Sequence, residues 1–227
     1  MTALGGFDSL HDVDRVNIND NPLLEEVKGF NQLRHVAYLS IATNTRLRVI
    51  AGFNNALEAS TLVSIGNNPA LQTITGFQGL KTESLGIATN AALREISGFD
   101  GGWVNSQISI TDNAGLQTIT GFRNLTRAPG TVYINNNPLL TSITGFTGTQ
   151  APTYLYLTNN PALASLGTSF AYADYSTLTR FYLEGNTSLV ACAEPWICHY
   201  LRRGAMPSSA VTERAARRPA SYRLARR

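Results

Sequence analysis

The sequence predicts a mainly β protein, namely a right-handed parallel β-solenoid of about eight coils with 22–26 residues in each. Three observations support this fold class. A pattern of the form I-x-x-N-x-x-L-x-x-I-x-G-F recurs along the chain, and a fixed period of this length indicates a repeat architecture. Each copy opens with apolar residues at alternating positions, as in a strand with one buried face. The stretches between them have room for a helix of about two turns at most.

The repeats become visible when the chain is aligned on one asparagine. Two clear copies are "IGNNPALQTITGF" from Ile65 and "INNNPLLTSITGF" from Ile134. Weaker copies begin at Leu157 and Leu183, and residues 1–10 form a partial first repeat that contains "LGGF". The shared asparagines are separated by 23, 24, 22, 23, 24, 23 and 26 residues, and they are Asn21, Asn44, Asn68, Asn90, Asn113, Asn137, Asn160 and Asn186.

Each coil is expected to contain two short strands joined by turns. An apolar pair such as Val132 and Ile134 buries one face of the first strand, and the shared asparagine ends that strand. Stacked inward asparagines can satisfy backbone groups that would cost about 1–3 kcal/mol each if buried unpaired. A Gly-Phe pair closes the coil. We expect the glycine to supply a conformation that a Cβ would hinder, and the phenylalanine to fill a corner of the core. Both columns are therefore interpreted as structural.

The repeat resembles a known family over about residues 1–201. The segments "NNPALQTITGF" and "NNPLLTSITGF" look like a leucine-rich repeat in its variant bacterial form, and they are also similar to the receptor L domain. Similar chains occur among secreted repeat proteins of Bacteroidetes-type bacteria, where they end in a Cys-containing cap like "SLVACAEPWICHYL". The resemblance implies a secreted or cell-surface location and a role in binding proteins or glycans, or as a scaffold. It supplies no catalytic motif.

The chain divides into the solenoid of residues 1–201, with a C-terminal cap segment at 187–201, and an Arg-rich tail at 202–227. We predict that the tail is disordered, and its composition also suggests out-of-frame translation of a GC-rich gene. Residues 201–227 hold eight arginines and one glutamate, a net charge of +7, whereas residues 1–200 hold ten basic and fourteen acidic residues, a net charge of −4. The mildly acidic solenoid argues against nucleic acid as its partner, although the arginines of the tail could contact phosphate.

The sequence predicts neither a membrane span nor a signal peptide. No apolar run reaches the roughly 20 residues that cross a bilayer. The first residues, "MTALGGFDSL", have no basic start and no long apolar stretch. We expect the chain to be a fragment of a larger exported surface protein.

Two cysteines, Cys192 and Cys198, lie in the cap segment and are candidates for a disulfide, provided that the chain reaches an oxidising compartment. Two buried thiols are the alternative. A zinc site is disfavoured because these cysteines and His199 do not complete a tetrahedral set of four ligands. No cofactor is expected.

Outward residues on the first strand are the best candidates for a binding site. The middle outward position holds asparagine, serine or glycine in five coils and then becomes Tyr133, Tyr156 and Tyr182. Tyr154 and Arg180 stand two residues before such positions, so they face the same way. We predict an aromatic patch for a protein or a glycan, because tyrosines are rigid and amphipathic. The alternative is that they serve strand formation and stacking between coils.

Two other functions are disfavoured by the placement of the residues they need. Among acidic residues near the first-strand face, Asp20, Asp112 and Glu184, the nearest two should be roughly 14 Å apart, beyond the roughly 5–9.5 Å of glycosidase carboxylates. The histidines are scattered in sequence. A threonine-rich second strand could order water for ice binding, but charges such as Glu26 and Glu95 interrupt it. We therefore expect a non-catalytic binding or adhesion module, with a structural spacer as the alternative.

Overall fold

The computed structural model describes residues 2–148, 151–172, 175–190, 193 and 196–198. These residues form two all-parallel sheets that wind into a β-solenoid of about eight turns, which confirms the predicted fold class. The strands are β1 (Ala3–Leu4), β2 (Asp12–Asn19), β3 (Glu26–Val27), β4 (His35–Ala42), β5 (Val49–Ile50), β6 (Glu58–Gly66), β7 (Thr73–Ile74), β8 (Lys81–Ala88), β9 (Glu95–Ile96), β10 (Trp103–Thr111), β11 (Thr118–Ile119), β12 (Thr131–Asn135), β13 (Ser142–Ile143), β14 (Tyr154–Thr158) and β15 (Arg180–Glu184).

The larger sheet has eight strands in the order β15-β14-β12-β10-β8-β6-β4-β2. Each is the first strand of one coil, and equivalent residues pair directly. Ile110 lies opposite Ile134, and Ile134 lies opposite Leu157. Because this register repeats, equivalent side chains of successive coils form straight columns at the strand spacing of about 4.7–4.9 Å. Columns that point inward build the core, and columns that point outward form what we call the outer face.

The smaller sheet has seven strands in the order β1-β3-β5-β7-β9-β11-β13, and each has only two residues. Its second residue is inward and buried in β3 to β13, as at Val27, Ile74 and Ile143. The partial first repeat joins this sheet, since Leu4 of β1 pairs with Val27. The core therefore lies between the two sheets and runs the length of the solenoid.

A stack of phenylalanine rings fills one corner of the core. Neighbouring ring centroids from Phe7 to Phe170 lie 4.6–5.0 Å apart, and their planes differ by 3–19°. Phe7 at the N-terminal end of the stack is exposed, whereas rings further along, such as Phe53 and Phe122, are fully buried. The stack thus supplies one large apolar side chain to each coil.

In the Gly-Phe turn, the phenylalanine takes the unusual backbone conformation. The sequence predicts it at the glycine. The left-handed φ falls on the phenylalanine, for example +64° at Phe122 and +53° at Phe146. Gly145 has no positive φ, but a Cβ on it would overlap the carbonyl oxygen of Gly121 in the preceding coil. Glycine is therefore required for close backbone approach, and burial of the ring compensates for the strained φ.

First strands are longer in the N-terminal coils than in the C-terminal ones. Strands β2 to β10 of the larger sheet have eight or nine residues, whereas β12, β14 and β15 have five. Pro129 and Pro152 each stand two residues before the start of β12 and β14. Because proline has no N–H to donate to a ladder, it accounts for the later start of these two strands.

Aromatic side chains cover the C-terminal end of the core. The buried Trp196 ring stacks on Tyr175 with centroids 5.9 Å apart, and it lies 5.6 Å from the ring of Phe181. Ile197 is also buried. Parts of the predicted cap segment thus pack on the last coil, and the predicted tail at 202–227 lies outside the described residues.

Candidate binding face

The shared asparagines form a continuous hydrogen-bonded ladder inside the solenoid. At a central rung, Asn113 Oδ1 accepts hydrogen bonds from the backbone N–H and the Nδ2 of Asn90, at 3.1 and 3.2 Å. Asn113 Nδ2 donates to the carbonyl oxygens of Ile87 and Thr111, both at 3.0 Å. The same pattern runs from Asn21 to Asn186, and every rung except the half-buried Asn21 is buried. The ladder is fully engaged in holding the coils together, so it offers no group to a ligand.

The three tyrosines of the middle outward position lie side by side on the outer face. Tyr133 pairs in register with Tyr156, and Tyr156 with Tyr182. Their ring centroids are 4.6 and 4.8 Å apart, with interplanar angles of 17° and 7°. All three side chains remain partly exposed. We call Tyr133, Tyr156 and Tyr182 the tyrosine column.

Polar and charged groups flank the tyrosine column on both sides. On one side the guanidinium of Arg180 lies over the ring of Tyr154, 5.6 Å from its centroid. On the other side the side-chain amide of Asn135 hydrogen-bonds the hydroxyl of Thr158 at 2.9 Å, and Glu184 is exposed. The structure thus brings all five sequence-predicted site residues, Tyr133, Tyr154, Tyr156, Arg180 and Tyr182, onto one continuous surface.

Small residues replace the tyrosines in the preceding coils. In register with Tyr133, the middle outward column continues through Ser109, Gly86, Ser64 and Ser40. We call these four residues the small-residue strip. The outer face therefore changes from a nearly flat strip to a raised aromatic column at the step from β10 to β12.

The sequence did not indicate one polar cluster near the N-terminal coils. His35 was grouped with scattered histidines, but its Nδ1 lies 2.6 Å from Asp12 Oδ1 across adjacent strands. Both side chains are exposed, at 64% and 68%, in a shallow cavity of about 390 Å³ that Glu58 and Ser60 also line. Residues 23 positions apart become neighbours here, so the repeat length itself was the signal for this pair.

The threonine-rich side of the smaller sheet is interrupted, as the sequence predicts. Thr73 pairs with Glu95, and Glu95 pairs with Thr118. The Thr120 hydroxyl donates to Glu95 Oε1 at 3.3 Å, so a carboxylate engages part of the array. An uninterrupted hydroxyl lattice is therefore not present on this side.

The cysteine prediction is only partly covered by the structure. Cys198 is disulfide-bonded, and Cys192 lies outside the described residues, so their pairing stays a prediction.

In the part of the chain that the structure describes, no three His, Cys, Asp or Glu side chains are grouped so that they could hold a metal ion. Within the same part, no helix has both the length and the apolar character needed to cross a membrane.

Comparison with protein-family models, curated proteins and solved structures finds no significant match to this chain. Its class is therefore defined by the fold and the site alone. It is a parallel β-solenoid repeat protein with a stacked tyrosine column on the outer face of its larger sheet.

Proposed function

We propose that this protein is a non-catalytic binding or adhesion module, of the leucine-rich-repeat or receptor L-domain type, which presents the outer face of its larger sheet to a protein or glycan partner. The observation that carries the proposal is the tyrosine column. Stacked tyrosines place three rigid rings and three hydroxyls on the surface, and this combination is favoured at binding hot spots. Secretion or display on a cell surface is part of the proposal and rests on the resemblance of the repeats.

The charged residues beside the tyrosine column support a role of the tyrosines in binding a partner more than a role in strand formation alone. Arg180 and Glu184 are exposed at the two ends of β15, on either side of Tyr182. Strand propensity alone would be served by any aromatic or β-branched residue, with no need for charged groups beside it. Binding interfaces, in contrast, typically combine aromatic residues at their centre with a polar rim.

Catalysis receives little support from the shallow cavity that Asp12 and His35 line beside the N-terminal coils. Asp12 and His35 are in hydrogen-bond contact, but about two thirds of each side chain is exposed to water. Electrostatic stabilisation of a transition state depends on a site from which water is excluded. We therefore place the function on the tyrosine column and assign no reaction to the cavity.

The proposal is tested by removing the rings without touching the core. The variant Tyr133→Ala/Tyr156→Ala/Tyr182→Ala is compared with Thr73→Ala/Thr118→Ala/Ser142→Ala, which truncates three outward residues of the smaller sheet. Both variants and the wild type are screened on arrays of defined glycans and of extracellular proteins, after circular dichroism has shown that they are folded. We expect ligands of the wild type to be retained by the threonine/serine variant and lost by the tyrosine variant.

Two results would contradict the proposal. Undiminished binding by the tyrosine variant would show that another surface is used. Absence of any wild-type ligand on both arrays would favour the structural spacer, for which the tyrosines act only as stacking partners between coils.

A further inference from the structure

At its N-terminal end, the tyrosine column has a ring face that no other ring of the described residues covers. Coils are numbered from the one that contains Asn21, so Tyr133 belongs to coil six. Tyr133 stacks on Tyr156 of coil seven through one face, so its other face is turned toward coil five. At the in-register position of coil five stands Ser109, followed by Gly86 in coil four. A Cβ built on Gly86 meets nothing within 4 Å, so the space above it is open. A gap the size of at least one ring therefore adjoins Tyr133 on the outer face.

The repeat distance of the column defines how a ligand would fit in this gap. The tyrosine centroids follow one another at 4.6 and 4.8 Å. A flat ring placed one repeat before Tyr133 lies above Ser109, whose small side chain leaves room for it. The ligand ring would thus occupy the place that a tyrosine takes in the next three coils.

The outward side chains of β8 and β10 at the gap are small or polar, and none is charged. The side-chain polar atoms of Gln107, Ser109 and Thr111 form no hydrogen bonds with the rest of the described chain. By contrast, the Ser40 hydroxyl in coil two already donates to Asn19 Oδ1 at 3.0 Å. The six outward residues of β8 and β10 that border the gap carry no charge, and they are Ser84, Gly86, Ala88, Gln107, Ser109 and Thr111.

We propose that this gap is a subsite for one neutral pyranose ring, which stacks its C–H face on Tyr133 and hydrogen-bonds through its hydroxyls to Gln107, Ser109 and Thr111. The inference rests on the proposed function and specifies its ligand as a neutral sugar. An aromatic ring can cover the apolar face of the sugar, while groups at the floor and sides reach hydroxyls in the plane of its ring. An acidic sugar would find no cation among the six bordering residues to offset the cost of removing its charge from water.

The chemistry also distinguishes a sugar from an aromatic side chain of a protein partner. An inserted phenyl ring would bury the free polar atoms of Gln107, Ser109 and Thr111 without giving them partners, and each unpaired group would weaken binding. A pyranose supplies hydroxyls on its edge that can replace the lost water. The geometry therefore points to a sugar in this gap, even if a protein contacts the rest of the column.

The test uses methyl glycosides of glucose, galactose, mannose and N-acetylglucosamine, with methyl glucuronide as the acidic counterpart. Binding to the full-length chain is followed by saturation-transfer NMR and by titration of the tyrosine ring resonances. Ser109→Tyr is designed to fill the gap by extending the column, and Ser109→Phe is a second blocking variant that fills the same gap without a hydroxyl. Ser64→Tyr makes the same change in coil three of the same column and is the control.

We expect at least one neutral glycoside to bind, with chemical shifts that change most at the Tyr133 ring, and the glucuronide to bind more weakly. Ser109→Tyr should abolish this binding, Ser64→Tyr should retain it, and Tyr133→Ala should weaken it roughly tenfold, which is the scale of one aromatic stacking contact. Failure of every neutral glycoside to bind, or binding that Ser109→Tyr and Ser109→Phe leave unchanged, would overturn the subsite. If a protein ligand is lost in the triple tyrosine variant while these glycosides never bind, the proposed function stands and the sugar subsite is wrong.

Discussion

Tyr133 and Tyr156 lie opposite each other on β12 and β14, with ring centroids 4.6 Å apart and planes inclined by 17°. They are 23 residues apart in the sequence, which is the repeat length between Asn137 and Asn160. Because equivalent positions of adjacent coils are neighbours in space, tyrosines at the same position of successive repeats form one continuous surface. It also raises the question of how much of the column serves stability.

Stacking within the tyrosine column should contribute measurably to stability. We expect a double-mutant cycle of Tyr133→Ala and Tyr156→Ala to give a coupling free energy of about 0.5–1.5 kcal/mol, because the two rings stack directly. Chemical denaturation measures the free energy of unfolding of all four proteins. Tyr133 and Tyr182, which both touch Tyr156 but not each other, provide the comparison pair, for which the coupling should be smaller. A coupling of equal size in both pairs would show that the rings interact through a general change of the sheet.

The asparagine ladder should be the most sensitive polar feature of the fold. We expect Asn113→Ala to lower the free energy of unfolding by roughly 3 kcal/mol or more, because it leaves the Asn90 N–H and the Ile87 carbonyl unpaired in the core. Urea denaturation followed by circular dichroism is the measurement. Asn105→Ala, which removes an exposed amide bound to Glu83, should change the same quantity by less than about 1 kcal/mol. Equal effects at the two sites would contradict the structural role of the ladder.

Two glycines should respond in opposite ways to the same substitution. We expect Gly145→Ala to destabilise the protein by at least about 3 kcal/mol, because the added methyl would overlap the backbone of Gly121. Gly86→Ala should be neutral or slightly stabilising, by up to about 1 kcal/mol, since its Cβ enters open space and the unfolded chain loses freedom. Thermal unfolding of both variants distinguishes these outcomes. A tolerated Gly145→Ala would mean that the coils can separate at the Gly-Phe turn.

The protein should lose stability in alkaline solution through a buried tyrosine. Burial raises the pKa of the Tyr172 hydroxyl far above its ordinary value of 10.0, and Tyr175 adds to the shift. The folded state therefore holds this proton more tightly than the unfolded chain does. Its contribution to stability is complete below pH about 10 and falls as the pH rises beyond that value.

Denaturation at several pH values between 8 and 11.5, roughly spanning the ordinary tyrosine pKa, checks this effect. We expect Tyr172→Phe to reduce the slope of the free energy of unfolding above pH about 10. An identical alkaline slope in the wild type and in Tyr172→Phe would show that this hydroxyl does not control the loss.

The sequence alone determined the parallel solenoid, the eight-coil repeat and the position of the aromatic residues on one face. It could do so because contacts in a solenoid join equivalent positions of adjacent coils, so the repeat length specifies the partners. Alternation of apolar residues then decides which side of each strand is buried. Tyr133, Tyr156 and Tyr182 could therefore be placed on one surface without coordinates.

Only the tertiary structure decided which individual side chains and backbone atoms are in contact within the solenoid. The left-handed φ of Phe146 and the close approach of Gly145 to the Gly121 carbonyl depend on the distance between coils. The repeat pattern of the sequence does not specify that distance. The contact of His35 with Asp12 and the uncovered face of Tyr133 arise where the coils differ, not where they agree. The repeat pattern specifies the structure that all coils share, whereas the candidate binding site is formed by residues that differ from the pattern. The free volume beside such residues depends on atomic positions in three dimensions.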